Sequence, residues 1–235
     1  MKWMLETALA NPWDTLRTIL DGPLHPGGRE ATEALLDRAG VAADTRLVDV
    51  GCGTGESLAV ARDRGATTIG VDRDPGGTGT VRGEMTQLPI QNGGVDIVLA
   101  ECVMCLAADR KRALAEARRV LEPGGTLALS DIVAEGAVPA LPEPVVRALC
   151  LQNSRSRVAT VAGIEEAGFE VETVQDHRED LLAMREQVAE TINYEAMLPL
   201  MGERGSKLLD GIHHAERAVD DGRISYVASV AVRAD

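Results

Sequence analysis

With 235 residues, 45% of them apolar, the chain can bury a full core, but only 2% are aromatic, so Leu, Val, Ala and Ile must fill it. A net charge of -13 opposes a phosphate backbone, so no nucleic-acid partner is expected. No apolar run approaches the ~18–20 residues of a membrane span, and the stretch Met1–Trp13 lacks the basic-then-apolar layout of a secretion signal, so a cytoplasmic protein without membrane contact is expected.

In chain order, residues 1–28 read as an amphipathic lead-in that ends in a turn-rich stretch, Asp21-Gly22-Pro23-Leu24-His25-Pro26-Gly27-Gly28. A helix over 29–40 closes at Gly40. Arg46–Val50 is a short apolar run ending in glycines, the pattern of a buried strand. A helix over 56–64, strands over Thr68–Asp72 and Val95–Ala100, a helix over 109–121 and a strand over Thr126–Asp131 follow. Asp109 suits an N-cap, and Pro123-Gly124-Gly125 a stop. This alternation predicts an α/β fold with a parallel sheet and helices on both faces. Beyond 143 the pattern predicts helices over 144–153 and 158–167 and a strand over Phe169–Val174. Mostly helical chain over 178–220 then breaks near Pro199 and Gly202–Gly205. The Gly222 turn and the alternation of Ser225–Val232 predict a final strand in an edge hairpin.

The segment Val48-Asp49-Val50-Gly51-Cys52-Gly53-Thr54-Gly55-Glu56 runs from a strand through a Gly-x-Gly-x-Gly turn into a helix. Glycines there allow positive φ and close approach of a ligand to the backbone, at the carboxyl end of a strand. The spacing differs from the Gly-x-Gly-x-x-Gly of a dinucleotide fingerprint, although NAD or flavin chemistry stays open on the turn alone. Asp49 precedes the first glycine by two positions, and a second strand ends in Gly70-Val71-Asp72, where a carboxylate can accept ribose hydroxyls.

With these motifs residues 41–134 resemble the class I S-adenosylmethionine-dependent methyltransferases. The match includes Gly83-Glu84-Met85 with Leu88-Pro89, Val95-Asp96-Ile97-Val98, and Arg119–Leu127 through Pro123-Gly124-Gly125. The resemblance implies a Rossmann-like, doubly wound, seven-stranded and mostly parallel sheet with a helical cap. It implies one domain over 1–235: a lead-in over 1–40, a cofactor core over 41–134, and cap helices with the last strands over 135–235. It also implies that S-adenosylmethionine is the cofactor. Gly51 and Gly53 would make room for its methionine and ribose parts, and Asp49 would orient the methionine end. Asp72 would bind the ribose hydroxyls, Glu84 the adenine amino group, Met85 would flank the adenine, and Glu101 would contact the methionine amine.

Methyl transfer to a soft nucleophile needs alignment and exclusion of water more than acid–base machinery. No catalytic residue is assigned. The loop Glu101-Cys102-Val103-Met104-Cys105-Leu106-Ala107-Ala108-Asp109 resembles the Cys-Val-x-x-Leu-x-x-Asp stretch of the arsenite methyltransferases, in which the loop cysteine binds trivalent arsenic. Cys150 stands about where that family places a second binding cysteine, although residues 1–51 hold none of its earlier ones. A set of short bacterial methyltransferases also resembles the Leu-His-Pro-Gly-Gly lead-in, the Glu-Cys-Val loop and the helical last third.

The expected acceptor is therefore a small soft molecule, arsenic(III) or a thiol, held by Cys102 and Cys150, with Cys105 and His25 as further contacts. Packing beside the cofactor pocket is the competing reading of the cysteines. A metabolite accepting at O, N or C, and a cofactor-binding protein without turnover, are the alternatives. Cys102-x-x-Cys105 has no second ligand pair at metal-site spacing, so no metal is expected. Tyr194 is expected in the core, with a place on the substrate side as the alternative.

Overall fold

The computed structural model describes Arg17, residues 23–136 and residues 141–235. Apart from Arg17, residues 1–22 of the expected lead-in lie outside the described residues. Seven strands form one sheet: Arg46–Val50 (β1), Thr67–Asp72 (β2), Thr80–Arg82 (β3), Val95–Glu101 (β4), Leu121–Ala134 (β5), Phe169–Asp176 (β6) and Ile224–Arg233 (β7). Their order is β3-β2-β1-β4-β5-β7-β6, parallel throughout except for β7, which is antiparallel to both neighbours. The final strand is thus not at an edge, as the Gly222 turn suggested. It inserts between β5 and β6, pairing with β5 from Thr126↔Val232 to Ala134↔Ile224, and β6 takes the edge.

Strand alternation sorts the side chains onto two faces. Leu47 of β1, Ile97 and Leu99 of β4, and Ala128 of β5 pack with Leu35 and Leu36 of helix α1 (Gly28–Arg38) and Leu58 and Ala61 of helix α2 (Glu56–Asp63). Val48, Val98, Leu127 and Leu129 face the other way. They pack with Leu114 and Ala117 of α3 (Arg110–Val120) and Ile164 of α5 (Arg157–Glu166), which α4 (Glu143–Ala148) precedes in the chain. Each fully buried Leu, Ile or Val among them contributes roughly 1.5–3 kcal/mol. The Asp109 side chain accepts from the Arg112 N–H at 3.0 Å and so caps α3, as its position suggests.

The alternation has a functional consequence. Asp49 shares a face with Leu47, and Glu101 with Leu99, so both acids reach the carboxyl end of the sheet on the α1/α2 side. The last third supplies α6 (Arg178–Thr191), α7 (Tyr194–Met197), a short 3-10 turn at Leu198–Met201 and α8 (Glu203–Asp220). Pro199 and Gly202 fall at the breaks. The strand β3 carries no sequence signal: it is three half-buried or exposed residues inside a glycine-rich stretch.

Candidate functional site

The turn after β1 is held open by two left-handed glycines, Gly51 at φ 81° and Gly53 at φ 52°. A Cβ at Gly51 would collide with Val103 Cγ2, and one at Gly53 would stand 2.9 Å from Arg17 Nη2. The turn is tied to the end of β2. The Gly53 N–H donates to Asp72 Oδ2 at 2.9 Å, and the Asp74 N–H to Asp72 Oδ1 at 2.8 Å. Each carboxylate oxygen keeps acceptor capacity beyond its one backbone bond. The glycine turn and the acid ending β2 thus lie side by side.

Deeper on the same side lies a buried polar cluster. Glu101 accepts from Ser57 Oγ at 2.7 Å and Thr32 Oγ1 at 3.1 Å, and pairs with His25 Nε2 at 3.2 Å. His25 is 5% exposed, and its Nδ1 donates to the Pro26 carbonyl at 3.0 Å. Burial alone would lower the His25 pKa, but Glu101, the Pro26 carbonyl and Asp49 together raise it above the ordinary value. Burial would raise Glu101, yet His25, Ser57 and Thr32 hold it below the ordinary carboxylate range. Asp49, 3% exposed, is pushed well above that range by burial and by the Glu101 charge. The Tyr226 hydroxyl donates to Ser130 Oγ at 2.6 Å and stands 3.3 Å from His25 Nδ1.

The remaining predicted residues divide. Glu84 is exposed and accepts from Arg73 Nε at 2.9 Å, while Met85 packs partly buried against the core. The three loop and cap cysteines do converge. Cys105 Sγ stands 3.6 Å and Cys150 Sγ 3.9 Å from the Cys102 carbonyl oxygen. Cys102 and Cys150 hold left-handed φ of 52° and 54°, which among the described non-glycine residues only Asp44 shares. The neighbouring Cys102 side chain and burial push the Cys150 thiol well up. The hydrogen bond with Cys150 pulls the Cys102 pKa down, but burial, with Cys105 and Asp131 nearby, raises it overall. Asp131, buried beside Cys105 and paired with Arg110 at 3.2 Å, is itself pushed up to about 6 by burial. No group of three His, Cys, Asp or Glu that could hold a metal ion is found among the described residues.

Cys102 and Cys150 line one end of a cavity of about 250 Å³ roofed by α4, α6 and α8. Its walls are aliphatic, among them Ile132, Leu149, Leu181, Val188, Leu208 and Ile212. Among the described residues that line it, Arg185, Tyr194 and Glu216 are the charged or hydroxyl-bearing ones. Tyr194 lines this cavity and also packs, partly buried, against the cluster of Val145, Leu198, Met201 and Leu208; its hydroxyl donates to Glu216 Oε1 at 2.7 Å. Sequence reasoning missed Thr32, Ser57 and Tyr226, hydroxyls without any periodic signal, and Arg17, whose guanidinium lies over the glycine turn.

A family model described as a methyltransferase domain matches residues 48–129, from β1 to β5. The chain is 29% identical over 204 residues to the methyltransferase GfsG of Streptomyces halstedii, covering 78% of this chain and 73% of that protein. It is 29% identical over 152 residues to an arsenite methyltransferase of Halobacterium salinarum, covering 56% of this chain and 39% of that one. The phosphoethanolamine N-methyltransferase 2 of Haemonchus contortus, solved with S-adenosylhomocysteine, superposes with a TM-score of 0.70 at 18% identity. That match covers 91% of this chain and 55% of that one. Left-handed glycines that leave the turn backbone bare, an acid with spare lone pairs and buried carboxylates fit an adenosyl ligand with an amino-acid end. Together with the strand order, these likenesses support a class I S-adenosylmethionine-dependent methyltransferase.

Proposed function

We propose that the acceptor is a small organic molecule with a mostly apolar body, methylated at an oxygen, nitrogen or carbon. The aliphatic cavity beside Cys102 carries this reading: about 250 Å³ suits an organic ligand, and its walls offer few partners to a hydrated ion. The bound sulfonium supplies the activated methyl group. Asp72 holds the ribose hydroxyls, Gly51 and Gly53 leave room against the turn, Asp49 orients the methionine end, Glu101 takes its amine, and Glu84 with Met85 borders the adenine. The cap helices keep water from the transfer. Arg185, Tyr194 and Glu216 then select the polar end of the acceptor.

A second reading, transfer to arsenic(III) or a thiol, is favoured by the convergence of Cys102, Cys105 and Cys150 and by similarity to an arsenite methyltransferase. Against it stands the raised pKa of all three thiols, because a thiophile is bound by thiolate. A panel of hydroxylated and aminated apolar compounds, arsenite and simple thiols, assayed with methyl-labelled donor, separates the two. Methylated organic product, formed equally by Cys102→Ser and Cys150→Ser variants, is expected. Arsenite or thiol turnover that is lost in those variants would reverse the choice.

A further inference from the structure

His25 belongs to two sites at once. Its ring is paired with Glu101, while its chain neighbours Leu24 and Pro26 line the acceptor cavity, as does Cys102, the residue after Glu101. The protonation state of the ring follows from its partners. Nδ1 faces the Pro26 carbonyl, which can only accept, so Nδ1 carries a proton. Nε2 faces Thr32 Oγ1 at 3.0 Å and Glu101 Oε1 at 3.2 Å, and the Thr32 hydroxyl donates its own proton to Glu101. Neither offers a donor, so Nε2 is protonated too, and the ring is an imidazolium. The groups that face it are Glu101 from β4, Asp49 from β1, Thr32 from α1 and the Tyr226 hydroxyl from β7. Asp49 is itself near Glu56 and Asp72.

Glu101 already receives Ser57, Thr32 and this imidazolium. A second cation brought to the same buried carboxylate would leave one positive charge uncompensated unless Asp49 also ionised, which burial and the Glu101 charge oppose. We propose that His25 is a positioning residue that trades places with the donor. It yields Glu101 to the α-ammonium of S-adenosylmethionine, and its movement carries Leu24 and Pro26, two walls of the acceptor cavity. The inference rests on the assignment of Glu101 to the donor amine. Once off Glu101, the ring loses one N–H proton to solvent at any pH above its ordinary value of about 6.5. Donor binding thus precedes, and shapes the cavity for, acceptor binding.

The test is calorimetric titration of the full chain with S-adenosylhomocysteine, which has the same amino-acid end, at about pH 7.5. Phosphate and Tris buffers differ in ionisation enthalpy, and the difference in heat counts protons released per ligand. Release approaching one proton is expected, and the count should fall by that amount in His25→Asn, whose amide can keep the Pro26 or Thr32 contact. Asp49 and Glu101 both feel the His25 charge, so their own protonation changes are read apart, from their carboxyl carbon resonances in each protein, and subtracted. No release from the native chain, or equal counts in the two proteins, overturns the proposal. Glu101→Gln locates the failure: unchanged ligand affinity sinks the Glu101 assignment itself, whereas weakened affinity without native proton release sinks the exchange alone.

If His25→Asn does not fold, the native chain still decides. The histidine Cε1 resonance of a buried imidazolium must move to the neutral position as ligand saturates, and a resonance that stays put overturns the exchange. The affinity of anilinonaphthalene sulfonate for the cavity should change with S-adenosylhomocysteine. An unchanged affinity removes the link to the cavity walls.

Discussion

Glu101→Gln should reverse the direction in which His25 makes stability depend on pH. In the native chain the raised His25 pKa adds stability that is complete below the ordinary histidine value of about 6.5 and is lost as pH rises through the raised value. The lowered Glu101 pKa adds stability present above the ordinary carboxylate value and lost as pH falls through the lowered one. The pair therefore contributes in the window between those two values. Removing one partner of a buried pair costs roughly 3–5 kcal/mol. The glutamine carbonyl can still accept from Ser57 or Thr32, so about 3 kcal/mol is expected, a large part of the roughly 5–15 kcal/mol typical of a folded protein. In the variant burial, the largest influence on the ring, acts without its counter-charge. The ring then titrates below its ordinary value, and the variant loses stability as pH falls through the histidine range. Urea denaturation of both proteins across about pH 5–9 reads this directly. The stability gap should be widest near about pH 6 and narrow toward alkaline pH. A gap that is constant with pH would refute the imidazolium–carboxylate account.

Gly51→Ala forces an alanine to φ 81°, which costs roughly 1–2 kcal/mol, before the Cβ meets Val103. Adding Val103→Ala should recover only the collision part, and additivity of the two changes in denaturation would show that no collision exists. Asp72→Ala removes a charged acceptor for two ribose hydroxyls, each bond worth about 1.5 kcal/mol or more, so S-adenosylhomocysteine affinity should fall about 100-fold. A loss under about threefold in calorimetry would dismiss that role. Ala148→Trp places an indole in the acceptor cavity and should abolish binding of anilinonaphthalene sulfonate while donor affinity is kept. Coupled loss of both would mean that the cavity and the donor site are one.

The parts of the fold legible in the sequence are those whose signal is local. β1, β4 and β5 are buried on both faces and read as apolar runs, and α3 carries its own cap and stop. The insertion of β7 between β5 and β6 is decided by pairing across about a hundred residues, and alternation within the strand holds no record of it. The site followed the same division. Gly51, Gly53 and Asp72 sit in a spaced motif and converge as that spacing implies. The hydroxyls of Thr32 and Ser57 serve Glu101 only because two helices bring them to one sheet face. Cys102, Cys105 and Cys150 were visible as residues, but not as thiols with raised pKa, two of them at the end of an aliphatic cavity, because the packing around them sets those properties and composition does not.

The most direct measurement is a crystal structure of the chain with S-adenosylhomocysteine. The ribose hydroxyls should lie within hydrogen-bonding distance of the Asp72 carboxylate, with the amino-acid end over the Gly51–Gly53 turn and its amine on Glu101. Ligand bound elsewhere, or with its ribose turned away from Asp72, would contradict the account.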